Sequence, residues 1–402
     1  MKIIIAPNAF KECLPAEKVA LAVARGLRRI FPLVRFHSRP AVQLEQIPIS
    51  DGGDGFLSIL TALTRGQVFS KKVCGPLGAK RHYAQFGFLG KNCASGFVKG
   101  RTAVIEIAEA AGLRLFPPAQ RKPLLTHTYG IGELIKSALD KKTTRIIVGL
   151  GGSVTADGGC GMACALGVKF LDRNGKSFVP TGGSLHQIDR FDLSNLDRRV
   201  KKVQIIGACD VTNPLLGPHG AARTFGPQKG ASPEEVKILE NNLRHLAQII
   251  RRELGINVSG LKGGGSAGGL AAGLSAFLNA RLVSGAELFF KIINLRKKLA
   301  GARLVITGEG KLDKTTLFGK APFRVAQKIK EYNPDIPVIA IAGKLGAGYR
   351  KLLSAGIDAC FSISPPGMSE KESIKNAEWL IEKQIGKIIR SFNMPIGHSF
   401  LI

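Results

Sequence analysis

The 402-residue sequence has few aromatic residues and lacks a cysteine pattern typical of a disulfide scaffold. Phe, Trp and Tyr together make up 6% of the chain, and 49 residues are glycine. This composition favours an α/β protein with many tight turns over an all-β one. The seven cysteines are scattered and no two are spaced as Cys-x-x-Cys, which argues against a disulfide framework and a zinc site. The histidines are equally dispersed.

Long apolar runs are also missing from the sequence. None approaches the roughly 18 residues that a membrane-spanning helix needs. The apolar start of the chain is broken by Pro7 and is too short for a secretory signal. We therefore expect a cytoplasmic protein with no membrane partner.

Acidic residues are scarce, since 29 Asp and Glu stand against 58 Lys and Arg, for a formal net charge of +29. A field of this sign attracts anions in general. The basic residues lie in short clusters along the whole chain, and aromatic residues do not alternate with them as in many nucleic-acid interfaces. We expect no specific nucleic-acid partner. A non-enzymatic, basic nucleic-acid-binding protein is kept as a remote alternative.

The best-known nucleotide and hydrolase motifs are absent too. Gly175-Lys176-Ser177 has the ending of a Walker A loop, but Phe170 stands where its first glycine should be. Neither the protein-kinase motifs nor a Gly-x-Gly-x-x-Gly turn after the first strand is present. The letters Gly-x-Ser-x-Gly occur once, at 264–268, but no predicted strand leads directly into them, as a nucleophile elbow requires. A nucleotide-binding enzyme with this sequence would need another fold.

The sequence does contain alternating strand and helix signals. Strands are predicted at Lys2–Ala6, Gln46–Ser50, Ala103–Ile107, Arg145–Val148, Val203–Ala208, Ala302–Ile306 and Pro337–Ile341. Helices are predicted at Ala16–Ile30, Phe56–Leu63, Gly132–Leu139, Ser232–Leu254 and Ser369–Ile389, and an antiparallel segment at Val68–Gly90. The alternation predicts an α/β fold with parallel sheets, in which ligands bind at the carboxyl ends of strands.

Five loops that follow predicted strands are rich in glycine, carboxylates, amides, hydroxyls or lysine. They are Pro7–Leu14, Ser50–Gly55, Gly149–Gly161, Cys209–Gly217 and Thr307–Lys320. Gly149–Gly161 lies between a predicted strand and a predicted helix start, an arrangement suited to holding an anion. Its alternative interpretation is an ordinary, tightly packed turn.

Phosphoryl transfer requires cations or N–H groups around the phosphates, carboxylates for Mg²⁺, and a carboxylate that orients the attacking hydroxyl. The loops offer four cations: Lys11, Lys229, Lys311 and Lys320. They offer six carboxylates: Asp51, Asp54, Asp157, Asp210, Glu309 and Asp313. Structural alternatives stay open, because Asp157 could cap a helix and Asp51, Asp54 and Asp210 could shape turns.

Motifs along nearly the whole chain resemble those of the bacterial-type glycerate kinases of the first type. They include ISDGGDG, GLGGSVTADGGCGM, ACDVTNPLLGPHGAARTFGPQKGAS, GGGSAGGLAAGL and VITGEGKLDKTTLFGKAP, in the same order and spacing. The first loop departs from the family with Asn8-Ala9 and with Glu12-Cys13 after Lys11, which puts the role of that loop in doubt.

This resemblance implies transfer of the γ-phosphate of ATP to D-glycerate with Mg²⁺, most often giving 2-phosphoglycerate. It implies two α/β domains with a cleft between them: a Rossmann-like domain from residues 1–75 and 285–402, and a second domain from residues 76–284. Glycerate 3-kinase, or a kinase for another small hydroxy or sugar acid, is the alternative. A monomer or homodimer is expected.

On this interpretation each loop residue receives an expected role. Catalytic roles are expected for Asp157, Asp210, Asp51 and Lys11. Nucleotide contacts are expected for Gly151, Gly152, Ser153, Thr155, Gly308, Glu309, Gly310 and Lys320. Metal contacts are expected for Asp54, Glu309 and Asp313.

Overall fold

The computed structural model describes residues 1–10, 13–31, 42–78, 80–98 and 101–392. It divides the chain into two compact units, each described by itself below. The end unit comprises Met1–Ser50 and Asn294–Ile402, and the middle unit comprises Asp51–Ile293.

Strands and helices alternate through both units. The described strands are β1 (Lys2–Pro7), β2 (Gln43–Gln46), β3 (Gln67–Cys74), β4 (Arg81–Phe88), β5 (Thr102–Glu106), β6 (Arg145–Gly149), β7 (Lys169–Leu171), β8 (Ser177–Phe178), β9 (Arg190–Asp192), β10 (Gln204–Ala208), β11 (Arg281–Val283), β12 (Ala302–Leu312), β13 (Val338–Leu345) and β14 (Ala359–Ser362). The described α-helices are α1 (Ala16–Ile30), α2 (Phe56–Thr64), α3 (Ser95–Val98), α4 (Ile107–Ala111), α5 (Tyr129–Asp140), α6 (Cys160–Ala165), α7 (Ala221–Phe225), α8 (Pro233–Leu254), α9 (Leu270–Leu278), α10 (Gly285–Ile292), α11 (Leu295–Leu299), α12 (Ala321–Tyr332), α13 (Glu370–Lys375) and α14 (Ala377–Ser391).

The end unit is built on a five-stranded, fully parallel sheet in the order β14-β13-β12-β1-β2. Strand β1, which lies between β12 and β2, carries Ile3, Ile4 and Ile5, which are completely buried. A continuous apolar run is what a parallel strand covered on both faces requires. The predicted Rossmann-like sheet made from both ends of the chain is therefore confirmed.

The middle unit is built on a six-stranded mixed sheet in the order β11-β10-β6-β5-β4-β3. Strands β5, β6, β10 and β11 are parallel, and β3 and β4 are antiparallel, as the segment Val68–Gly90 predicted. A small antiparallel sheet, β8-β7-β9, completes the described strands of this unit. The predicted α/β fold of the middle of the chain is confirmed.

The unit boundaries differ from the predicted ones. The sequence places them at 75/76 and 284/285, whereas the structure divides the chain at 50/51 and 293/294. Strand β3 pairs with β4 along its full length, so this segment belongs to the middle unit. The pairing of β3 with β4 therefore decides on which side of the boundary this segment lies, and composition does not show it.

Two predicted elements change in detail. The strand expected at Gln46–Ser50 is assigned at Gln43–Gln46, although the N–H groups of Ile47 and Ile49 still donate to β1 carbonyls. The closing helix expected at Ser369–Ile389 is interrupted at Asn376, where the backbone leaves the helical region (φ −106°, ψ 12°). Ser369 begins α13 with a capping box, as the sequence indicated.

Candidate active site

Two glycine-rich loops of the middle unit, 51–55 and 150–153, lie against each other where the parallel strands β6 and β10 end. The N–H of Gly151 donates to the carbonyl oxygen of Gly52 over 2.9 Å. A Cβ added at Gly151 would lie 2.3 Å from the Cα of Gly53. Only glycine permits this approach of the two backbones.

Asp210 and Asp51 are brought to the same edge of this sheet. The Asp210 carboxylate accepts hydrogen bonds from the Ser284 hydroxyl at 2.5 Å and from the Ala286 N–H at 3.0 Å, at the start of α10. Gly285 lies between Ser284 and Ala286 in the sequence, and a Cβ added to it would lie 2.1 Å from the carbonyl oxygen of Asp51. Both carboxylates are half-buried. Hydrogen bonds from the protein therefore orient both carboxylates, while solvent still reaches part of each.

Asp54 is the exposed carboxylate of the same region. A Cβ added at Gly152, which is also exposed, would lie 3.1 Å from its Oδ1 atom. Asp51 uses its own Oδ1 to accept the N–H of Gly53 at 3.2 Å, the turn contact that the sequence left open as an alternative. We call Asp51, Asp54, Asp210 and Glu106 the middle-unit cluster.

Glu106 was not predicted as a site residue. It is the last residue of β5 and only 2% exposed, and it accepts the N–H groups of Gly55 at 3.3 Å and Leu57 at 3.1 Å. Burial raises the pKa of Glu106 to about 7, and the negative charge of Asp54 adds to that rise. A signal was present in the sequence, because Glu106 is a carboxylate inside the otherwise apolar run TAVIEIA.

Asp157 lies in the interior of the middle unit. Its side chain is completely buried, and its Oδ2 atom accepts the N–H and the hydroxyl of Thr128, both at 2.8 Å, and the N–H of Gly161 at 2.9 Å. Gly159 is the N-cap residue of α6, yet Asp157 still satisfies one N–H of its first turn. Asp157 is thus not the N-cap residue itself, although its contacts are structural ones at the start of α6.

Lys229 binds the buried part of the loop 150–159, which carries the Ser153 hydroxyl. It is 3% exposed, and its ammonium group donates to the Ser153 hydroxyl at 2.9 Å and the Thr155 carbonyl at 2.6 Å. Burial lowers the pKa of Lys229 to about 7, against the opposing effect of the Asp157 charge. Ser153 and Thr155, expected to contact a nucleotide, are themselves buried. In this loop Gly151 and Gly152 are the residues that solvent reaches.

The end unit holds a second group, the end-unit cluster of Glu309, Lys311, Asp313 and Lys320. The Lys320 ammonium lies 3.6 Å from Glu309 and 3.9 Å from Asp313, and Lys311 lies 3.2 Å from Asp313. Glu309 also accepts the Thr316 hydroxyl at 2.7 Å. The hydroxyl of Thr315 holds the pKa of Asp313 down at about 2, so Asp313 stays ionised at neutral pH.

The other predicted residues of this unit occupy different positions. Gly308 is buried inside β12, where an added Cβ would lie 2.3 Å from the Ile341 carbonyl oxygen. Gly310 is half-buried beside the cluster. Lys11, expected to be catalytic, lies outside the described residues.

A cavity of about 560 Å³ adjoins the end-unit cluster. Its lining includes Glu309, Gly310, Lys311 and Lys320, and it continues along the ends of β13 and β14 to α13 and the start of α14. Its size is in the range of small-molecule sites.

The carboxylates near the two clusters set the limits on how a metal ion could be held. Within the ranges that the structure describes, no group of three or more His, Cys, Asp and Glu side chains is arranged to hold one. Mg²⁺ at phosphoryl-transfer sites is held by one or two carboxylates together with phosphate oxygens. Glu309 and Asp313 supply that number of carboxylates, and the Lys320 ammonium lies within 4 Å of both.

Two further results bear on the protein's class. No helix in the described part of the chain is long and apolar enough to span a membrane. All seven cysteines, each of which lies in a described range, are free. Two α/β units with carboxylates and lysines gathered at the carboxyl ends of parallel strands define an α/β protein suited to binding anionic ligands.

Comparisons with known proteins identify the family. A sequence model of the Glycerate kinase family matches residues 3–393. The chain is 45% identical over 363 residues to "Glycerate 2-kinase" of Escherichia coli (strain K12), covering 90% of each chain. It is 41% identical over 394 residues to "Glycerate kinase" of Bacillus subtilis (strain 168), covering 98% of each. A crystal structure assigned to glycerate kinase 2 of Salmonella typhimurium LT2 superposes with a TM-score of 0.78, at 41% identity and 98% coverage of both chains.

The chain belongs to the glycerate kinase family, and it is a kinase. This confirms the resemblance found in its motifs.

Proposed function

We propose that this protein transfers the γ-phosphoryl group of ATP to the 2-hydroxyl of D-glycerate, giving 2-phosphoglycerate and ADP. The observation that carries the proposal is the family match over residues 3–393, joined by the name of the Escherichia coli relative, "Glycerate 2-kinase". The two carboxylate clusters, one in each unit, supply side chains of the type that the chemistry requires.

Asp51 and Asp210 are our candidates for orienting the glycerate hydroxyl and accepting its proton. Both are half-buried at the edge where parallel strands end, and Asp210 is held by the Ser284 hydroxyl and the Ala286 N–H. A carboxylate held in this way can accept a proton in a fixed direction. Asp157 is fully buried on Thr128 and Gly161, and we propose that it orders the loop 150–159 instead of touching substrate.

Glu309, Gly310 and Lys320 are proposed to contact the nucleotide, with Lys320 binding phosphate oxygens. Gly308, expected to do the same, is buried inside β12, and we propose a packing role for it instead. In the middle unit, Gly151 and Gly152 are proposed phosphate contacts. Ser153 and Thr155 are proposed to fix the loop by accepting hydrogen bonds from the buried Lys229 ammonium, without touching the phosphates. In the end unit, Glu309 and Asp313 would hold Mg²⁺. In the middle unit, Asp54 is a separate candidate for a metal contact. When bound, Mg²⁺ neutralises charge on the phosphate oxygens.

The test is ADP release measured with D-glycerate, with L-glycerate and with a panel of sugar acids, at saturating ATP and Mg²⁺. We expect turnover with D-glycerate and its loss when EDTA removes the metal ion. Turnover with a sugar acid but not with D-glycerate would instead establish the alternative kinase. Salt-sensitive binding to DNA without ADP release on any acid would establish the nucleic-acid alternative.

A further inference from the structure

The cavity of the end unit is partly apolar, which does not suit glycerate. Its lining includes Phe10, Ile363, Met368, Ile374 and Ala377. D-Glycerate is a three-carbon acid whose carbons all carry oxygen, so it has no surface to bury against such a wall. The nucleoside half of a nucleotide has a large flat ring that does.

Charged groups lie on the same cavity. Lys311, Lys320 and Lys344 belong to its lining, together with the carboxylates of Glu309 and Glu370. Lys344 is well exposed, and its one described ion pair is to the equally exposed Glu370 at 3.3 Å. Exposed lysines of this kind can turn to meet phosphate oxygens at little cost.

Ile374 is the least buried of the apolar lining residues. It is 46% exposed, whereas Phe10 and Ile363 are 2% and 1% exposed. An exposed isoleucine at the edge of a partly apolar cavity would be covered when a flat ring enters. The cavity also contains Ser362 and Ser364, whose hydroxyls both donate to the Gly343 carbonyl and so fix the end of β13.

We propose that this cavity binds the base and ribose of the nucleotide, with the ring against Phe10, Met368 and Ile374 and the phosphates directed to Lys311, Lys320 and Lys344. The inference rests on the proposed function for the identity of the nucleotide. It assigns the base and the ribose of the nucleotide to the end unit.

The experiment compares Ile374→Trp with the control Leu353→Trp, in the full-length protein. Leu353 is 45% exposed in the same unit and is not part of the cavity lining. Calorimetric titrations with ADP, and separately with tripolyphosphate, distinguish the base from the phosphates. Thermal melts of both variants verify that they fold.

A tryptophan at position 374 should fill the space for the ring. We expect Ile374→Trp to weaken ADP binding and to raise KM for ATP by about tenfold, equivalent to about 1.4 kcal/mol. Tripolyphosphate binding and KM for D-glycerate should not change, and Leu353→Trp should behave as the wild type in all four measurements. Lys344→Ala should weaken ADP and tripolyphosphate together.

Unchanged ADP binding in folded Ile374→Trp would overturn the inference, and so would a rise in KM for D-glycerate without one for ATP. Either result in an enzyme that still phosphorylates D-glycerate leaves the proposed function intact. A wild-type protein that binds ADP through this cavity but does not phosphorylate D-glycerate would overturn the proposed function and leave the inference intact.

Discussion

Asp157 and Asp210 look equivalent in the sequence but lie in different environments. Both are carboxylates in polar loops that follow predicted strands. Asp157 is completely buried on donors of Thr128 and Gly161, whereas Asp210 is half-buried. Substitution of each by asparagine should therefore give opposite results.

For Asp210→Asn we expect kcat to fall by about 10²- to 10⁴-fold, the usual contribution of a general base, with little change in unfolding midpoint. The loss follows from removing the proton acceptor while keeping the shape that Ser284 and Ala286 contact. Steady-state kinetics and urea unfolding measure both effects. Asp189→Asn, at a partly exposed position of the same unit, is the control. A wild-type kcat in Asp210→Asn would remove Asp210 from the mechanism.

For Asp157→Asn we expect a loss of about 1–3 kcal/mol in the free energy of unfolding, because buried donors lose a charged acceptor. Below the unfolding transition, kcat should stay near the wild-type value. Urea unfolding followed by circular dichroism provides the measurement. A variant as stable as the wild type but without turnover would instead support the catalytic role that the sequence suggested.

Lys229 gives a prediction about pH. Its pKa is about 7 in the folded protein and near its ordinary value of 10.5 in the unfolded chain, so between these pH values the unfolded chain binds more protons. The free energy of unfolding should therefore gain a contribution as pH rises from about 7 towards 10.5. Below pH 7 both states are protonated and the burial cost is fully present.

The measurement is urea unfolding of the wild type and Lys229→Met at pH 7 and pH 9.5. The wild type should gain stability relative to Lys229→Met at the higher pH. Lys237→Met, at an exposed position of α8, should follow the wild type. If the free energy of unfolding changed equally with pH in the wild type and in Lys229→Met, the pKa of Lys229 would be the same in the folded and unfolded protein, which would contradict the prediction.

At the scale of elements, α1 and α14 pack in close contact in the end unit. A Cβ added at Gly26 of α1 would lie 2.1 Å from the Ile385 side chain and 2.5 Å from the Glu382 carbonyl oxygen. Arg25 of α1 also pairs with Glu378 and Glu382 of α14. The glycine lets the helices approach and the ion pairs lie at the rim of their contact.

Gly26→Ala should thus destabilise the protein by about 1–3 kcal/mol through overpacking, despite the better helix propensity of alanine. Gly386→Ala in α14 is the matched control, since its added Cβ meets the Ile30 side chain alone, at 3.3 Å. Thermal unfolding compares the two. Equal midpoints for both variants would contradict the close packing of α1 and α14.

Elements with a clear period were the most predictable from sequence. Helix α1 begins and ends at the predicted residues, Ala16 and Ile30, because its apolar positions repeat at helical spacing with arginines opposite. The break at Asn376 was not predictable, since the apolar pattern continues through it. The burial of the Asp157 side chain was not predictable either, because its partner Thr128 lies 29 residues away in the chain.

The candidate site was predictable in composition but not in arrangement. The sequence identified Asp51, Asp54, Asp210, Glu309 and Asp313 by their glycine-rich loops. It missed Glu106, whose pKa of about 7 arises from burial that only the folded β5 creates. The sequence offered Lys229 as one of four candidate cations, and only the fold shows that its ammonium donates to Ser153 and Thr155.

At the scale of the whole molecule, the net charge of +29 is the dominant property. Such a charge raises the local concentration of anionic substrates, and added salt screens it over a Debye length of about 8 Å at physiological ionic strength. We expect kcat/KM for ATP to fall as KCl is raised, with kcat nearly constant. Steady-state kinetics at several salt concentrations measure this. A salt-independent kcat/KM would show that the surface charge does not act on the substrate.

Phosphorylation of D-glycerate at its 2-hydroxyl can be measured directly. The most direct measurement couples the reaction to enolase, which consumes 2-phosphoglycerate, with no phosphoglycerate mutase present. We expect phosphoenolpyruvate to form at the rate of ADP release. ADP release with D-glycerate but without phosphoenolpyruvate, until a mutase is added, would contradict it and identify a 3-kinase.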